Sequence, residues 1–408
     1  MANRGRGSGG PPEHLASLRS GGYSPHRLLR RPRKPRLAVR PGQAGGMVRE
    51  HGGQGMSRPP VLGTGDGTGG AAMRTFRMPI LTATAFLLFL AAPNCPPRSS
   101  PTLLGTIDVG EGGKLLRDYA ILEPFALVVT NGALSVTDLQ TGTMLHEVPL
   151  AGSDGGRITT DGDLLYVTSA TQEGDLHRTT LEIFGLDEAG RLLPQGRLDM
   201  AGGGPTEIGL HAGALLLLFY DAIVIVDVRD PARPILATRV PWETGGGVPW
   251  NMAIENDVAY VAVGGGGVAA IDLSDPFAPH PITRFELGWF DDLALHGPYL
   301  YLPNEAGLES EILVVEAGNP AQLLELDARW AWRPSAVAYG SGTLAVVVGQ
   351  GKGIECFDLH DPTRLRYAGG ARLPRGFDPI GGRMTIVGEH LYVGGLHGIA
   401  VFRIDAAF

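Results

Sequence analysis

The residues best suited to recognition are the five tryptophans, Trp242, Trp250, Trp289, Trp330 and Trp332, with Phe290 and Phe377. All sit in segments that join one strand-rich unit to the next. Charges accompany them at Glu243, Asp291, Asp292 and Asp378, with Arg329, Arg333 and Arg375 nearby. Large amphipathic rings beside charged groups suit a protein loop, a peptide or a carbohydrate. The same rings can instead pack between neighbouring units near a central channel. The ligand-binding candidates are Trp242, Trp250, Trp289, Asp291, Asp292, Trp330, Trp332, Arg333 and Phe377.

Other chemistry has a weaker basis. His177, His211, His296, His360 and His397 lie far apart, without metal-ligand spacing. Asp227, Asp272 and Asp358 recur regularly, but an Asp in a turn accepts backbone N–H bonds, which explains them without Ca²⁺. Gly264–Gly267 joins two strand-like runs, opens no helix and is followed by no Lys-Ser/Thr, so it is not a phosphate loop. Asp291-Asp292 is an acid pair of the kind used in glycoside chemistry. Adjacent residues on a strand point to opposite faces, which argues against that use. Cys356, inside an apolar run, reads as a buried small side chain, and two cysteines make no disulfide framework. No catalytic residue, metal site or cofactor is expected.

The elements that would position these groups repeat. Apolar runs ending in a turn are anchored at Asp138, Gly185, Asp227, Asp272, Glu316, Asp358 and Arg403, in steps of 47, 42, 45, 44, 42 and 45 residues. Units of about 40–50 residues with four strand-like runs each predict a β-propeller. In 246–288 the runs are Val248–Ile254, Val258–Val263, Val268–Leu273 and His280–Phe285, separated by Gly, Asn, Asp and Pro. The last unit, from Phe377, holds three runs, while the unassigned segment 101–110 resembles a fourth. The chain is therefore expected to be all-β, a seven-bladed propeller over 101–408 whose last blade is closed by the N-terminal strand.

The phrase Ile223-Val224-Ile225-Val226-Asp227-Val228-Arg229-Asp230-Pro231, running on to Pro234, resembles the LVIVD repeat of bacterial extracytoplasmic propeller proteins. Gly267–Pro279 is close behind and Ile354–Pro362 matches in part. The unit around Glu316 replaces both acids, and those around Asp138, Gly185 and Arg403 lack the Pro turn. The resemblance implies the fold and a surface or cell-envelope interaction role. It supplies no catalytic residues.

Residues 1–72 carry 12 basic and 3 acidic residues, are rich in Gly, Pro, Arg and Ser, and read as a disordered leader. The run Arg30–Arg36 has the composition of a nucleic-acid or nuclear-targeting patch. Residues 73–95 read as a signal peptide: Arg74 and Arg77, an apolar core from Pro79 to Ala92, then a small-residue exit. On that reading translation starts at Met73 or Met78, and 1–72 lies upstream of the true start. Cys95 is placed as a lipidation site, although Pro93-Asn94 fits cleavage near Ala91-Ala92 better. Residues 96–100 form a linker. From position 101 onward there are 19 basic and 39 acidic residues, a net charge of −20. Such a body repels phosphate backbones, which excludes nucleic acid as its partner.

Together these features predict an exported, non-catalytic binding or scaffolding module, in the periplasm, on the outer surface or outside the cell, with a protein or carbohydrate partner. Membrane contact is expected only through a lipid on Cys95. The alternative is a hydrolase or lyase acting on a sugar polymer or small ester at the same face, which requires titratable groups converging over the channel.

Overall fold

A computed structural model describes residues 100–109, 114–174, 176–241, 247–286, 288–305, 310–349 and 351–404. The leader, the signal-peptide segment with Cys95, and Trp242 lie outside the described residues.

Seven four-stranded antiparallel sheets follow one another around a ring. We number them as blades I (116–149), II (154–201), III (207–241), IV (251–285), V (294–330), VI (336–372) and VII (379–403, with 102–108). Within each blade the chain runs from the innermost strand outward. No helix occurs among the described residues.

Burial explains the strand order. The second strands are buried along almost their whole length, as in Phe125–Thr130 and Ala214–Leu218, because a neighbouring blade covers each face. Alternation then distributes the side chains. Leu215 and Leu217 pack with Tyr166, Leu181 and Ile183 of blade II, whereas Ala214, Leu216 and Leu218 pack with Ala259, Val261 and Val263 of blade IV. Fourth strands such as Ile235–Pro241 lie at the rim and are largely exposed.

The repeated acids are turn caps, as the sequence suggests. Asp227, Asp272 and Asp358 accept the backbone N–H two residues on (3.1, 2.7 and 2.8 Å). Asp230, Asp275 and Asp361 do the same, each at 3.1 Å. Cys356 is buried, and burial pushes its thiol up to about 12.

Closure occurs in blade VII. Thr102–Asp108 pairs antiparallel with Gly398–Arg403, from Thr102 opposite Arg403 to Asp108 opposite Gly398. Ile107 and Val109 then join Tyr392 and Ile399 in packing against Leu116, Tyr119, Ala126 and Val128 of blade I. The Tyr119 hydroxyl donates to the Tyr392 carbonyl (2.8 Å), tying blade I to blade VII.

Candidate functional site

The segments entering each blade and the turns between second and third strands share one face of the ring. Trp250, Trp289 and Trp332 all occur there, in segments leading into blades IV, V and VI. Their exposures are 39%, 50% and 51%. Each ring lies against a glycine turn instead of inserting between sheets. A Cβ on Gly265 would come within 3.1 Å of the Trp289 ring, and one on Gly349 within 2.9 Å of the Trp332 ring. Only a bare backbone permits that approach. Trp250 borders Gly264 at ordinary contact distance.

Charged partners orient the rings. Trp289 Nε1–H donates to Asp291 Oδ1 (2.6 Å). Burial pushes the Asp291 carboxyl up, while the tryptophan bond pulls it back. Arg333 donates through Nε and Nη2 to Glu305 Oε1 (2.7 and 2.5 Å), and the Lys352 ammonium lies 5.5 Å from the Trp332 ring centroid. Arg333 adopts φ +50°, in the left-handed region. Trp289, Asp291, Trp332 and Arg333 thus belong to one stretch of this face, at blades V and VI.

The remaining candidates lie elsewhere. Trp330 ends the outer strand Leu324–Trp330 at the rim. Phe377 is half-buried and packs against Gly395 within the core between blades VI and VII. Asp292 points inward and is 1% exposed. Asp291 and Asp292 diverge as adjacent residues should, although they sit in a bend before the strand Ala294–His296.

Around the axis lies a charge cluster that no motif marks. Asp118, Arg157, Glu207, Asp292 and Arg383 come from the inner segments of blades I, II, III, V and VII. Arg383 bridges Asp118 (Nε to Oδ1, 3.3 Å) and Glu207 (Nη2 to Oε2, 2.9 Å). Asp118 accepts N–H bonds from Tyr119 (2.8 Å) and, across the blade gap, from Ile158 (3.0 Å). Asp292 repeats the pattern with Leu293 and Val337 (both 2.8 Å) and also accepts from Asn251 Nδ2. One carboxylate therefore clips two blades together. Burial pushes Asp118 up, against the pull of Arg383. Burial raises Asp292 to about 8, against the pull of its backbone donors. Burial pulls Arg383 down, but Asp118 and Glu207 outweigh it and hold its pKa above the ordinary value.

Among the described residues no group of three His, Cys, Asp or Glu side chains gathers as a metal ion would require. A cavity of about 580 Å³ opens on the same face between blades II and III, and Trp250 lines it.

The LVIVD repeat model matches residues 220–241 and 246–285, in blades III and IV. No curated protein sequence matches the chain. Solved structures share the fold at low identity. A computationally designed protein superposes with a TM-score of 0.50 at 11% identity, over 74% of this chain and 100% of that one. A Desulfotomaculum acetoxidans protein of unknown function gives 0.55 at 14%, over 69% and 100%. A Bacteroides fragilis protein proposed to be a 6-phosphogluconolactonase gives 0.52 at 13%, over 72% and 95%. At these identities the likeness concerns the fold alone.

Proposed function

We propose that this LVIVD-repeat β-propeller is an exported binding or scaffolding module, holding a carbohydrate-bearing or protein partner of the cell envelope on its blade-junction face. The observation that carries the reading is the exposure of Trp250, Trp289 and Trp332, 39–51%, on glycine turns of one face. An exposed ring costs apolar surface in water and is recovered when a sugar face or side chain covers it. The Asp291 and Glu305 carboxylates and the Arg333 guanidinium surround these rings with polar groups that a bound sugar or peptide needs for orientation. Export rests on the sequence pattern of 73–95, and a lipid anchor on Cys95.

The channel does not favour the hydrolase or lyase alternative. Titratable groups with raised carboxyl pKa values converge there, as that alternative requires. However, Asp118 and Asp292 spend their oxygens on backbone N–H groups of two blades and are 2% and 1% exposed. A general base must reach its substrate's proton.

Glycan-array and envelope-protein binding by wild type, Trp250→Ala, Trp289→Ala and Trp332→Ala tests the reading. Lost binding with unchanged melting supports it. Ligand turnover, or binding indifferent to all three substitutions, overturns it.

A further inference from the structure

Blade II departs from its neighbours where the repeat is least faithful. Its second and third strands, Leu164–Glu173 and Leu176–Leu186, run 10 and 11 residues. The same strands of blade IV, Val258–Ala262 and Val268–Asp272, run 5 each. The surplus projects from the junction face as a hairpin roughly 17–20 Å long, at about 3.3 Å per residue. Insertions of this kind in repeat proteins often build the binding face.

The hairpin walls one side of the 580 Å³ cavity through Thr171, Gln172 and His177. The opposite side is Tyr220, which is 58% exposed, and Trp250. The back is the Gly202–Gly204 loop, held in place by the Thr179 hydroxyl, whose Oγ1 lies 3.1 Å from the Gly202 carbonyl oxygen and 2.7 Å from that of Gly203. The volume falls within the range of small-ligand pockets, about 300–1,000 Å³.

Its charge is opposite to that of the surrounding protein. Arg117, Arg157 and Arg239 line it, against Asp154 and Asp221. Arg239 pairs with Asp221 (2.9 Å), and Arg117 with Asp154 (3.1 Å), a side chain 73% exposed. The Arg117 Nε–H is buried without a hydrogen-bond partner. Arg157 donates only to backbone carbonyls: Thr206 (2.6 Å), Gly156 (3.0 Å) and Arg117 (3.4 Å). Burial, together with the Arg383 charge, pulls its pKa down, so a bound anion would stabilise it. Arg157 makes no direct ion pair, although the Asp118 and Glu207 carboxylates lie near enough to pull its pKa back up.

We propose that the cavity between blades II and III binds a saccharide unit bearing a single carboxylate, such as a uronate. Its carboxylate meets Arg157 and Arg117, and Trp250 and Tyr220 flank the sugar. Three guanidiniums against two carboxylates line the cavity, an excess of positive lining groups that suits the carboxylate of an acidic sugar. Guanidiniums hold carboxylates in a planar fork, and rings cover sugar C–H faces. Gln172 and Thr171 offer the amide and hydroxyl that sugar hydroxyls need. The proposal deepens the binding reading above and rests on it.

Isothermal titration of the full chain with trigalacturonate tests it, with cellotriose and inorganic phosphate as controls. The expected result is binding of trigalacturonate, no binding of cellotriose, and only weak binding of phosphate. Arg157→Gln should weaken trigalacturonate at least tenfold. Because Arg157 also borders the channel, Arg117→Gln and Trp250→Ala serve as second variants, each expected to lose several-fold with unchanged melting. Equal affinity in all three variants, or no binding by wild type, overturns the proposal, and phosphate as tight as trigalacturonate overturns the sugar assignment. Neutral sugar binding that depends on Trp289 or Trp332 and ignores Arg117 would also overturn it, while leaving the broader reading of the face intact.

Discussion

Blades II and IV are built from the same four strands but meet the solvent differently. Blade IV keeps the repeat, with five-residue central strands, a four-glycine turn and an Asp-capped exit at Asp272 and Asp275. Blade II lacks the Pro turn and doubles the length of its central hairpin. Both bury their second strands against two neighbours, through Leu165 and Tyr166 in one and Ala259 and Tyr260 in the other. Packing is therefore indifferent to what happens above the sheet. The comparison separates a ring that needs the repeat from a surface that exploits departures from it.

The largest perturbation should come from the ring itself. Deleting 101–109 removes the ladder to Gly398–Arg403 and uncovers a strand edge together with Ile399 and Tyr392. We expect aggregation or a melting point at least about 5 °C lower, on the order of 3 kcal/mol or more. A deletion variant that melts like the parent would break the scaffold half of the comparison. Next comes Leu217→Ala, at the interface of blades II and III, expected to cost about 2–5 kcal/mol in denaturant unfolding.

Asp292→Ala strands the Leu293 and Val337 N–H groups in a buried setting and should cost about 2–4 kcal/mol. Its titration has a definite sign. A carboxyl raised to about 8 when folded binds its proton more tightly in the native state. The stability it confers is fully present below pH about 4 and is lost as pH rises through about 8. Asp292→Asn should therefore flatten the fall in stability between pH 5 and 9, read by melting at each pH. An unchanged slope would remove Asp292 from the clip between blades V and VI.

Smaller effects sharpen the other half. Replacing 171–178 by a short turn should leave the fold intact within about 1 kcal/mol, since Gln172, Glu173 and Leu176 at its tip are exposed. Trp289→Ala and Trp332→Ala should each cost under about 1 kcal/mol, because half of each ring already faces water. A large loss of stability in either would recast these rings as packing elements.

The ring was legible in the chain because its cause is local and repeated. A central strand covered on two faces must be apolar throughout, and a capped turn needs Asp at a set position. The closing strand could be read because blade VII lacked a fourth run. The axial cluster was not legible: Asp118, Glu207 and Arg383 are far apart in sequence and share no motif, and only closure brings them within bonding distance. A faint signal existed, a polar residue just before an apolar one at several inner strands, as in Asp118-Tyr119, Glu207-Ile208 and Arg383-Met384. The cavity also left a trace, since the step from Asp138 to Gly185 is the longest of the six and contains the extended hairpin. Tryptophan exposure could not be read, because it depends on which glycine turn lies beneath each ring.

The central claim is that recognition occurs where blade II breaks the repeat. Hydrogen–deuterium exchange of the full chain with and without trigalacturonate tests it most directly. The account predicts slowed exchange confined to the cavity lining: the hairpin at 170–179, the 202–206 loop, the turn at 219–221, and the segments around Arg117, Arg157 and Trp250. Protection elsewhere on the ring, or none at saturating ligand, would contradict it.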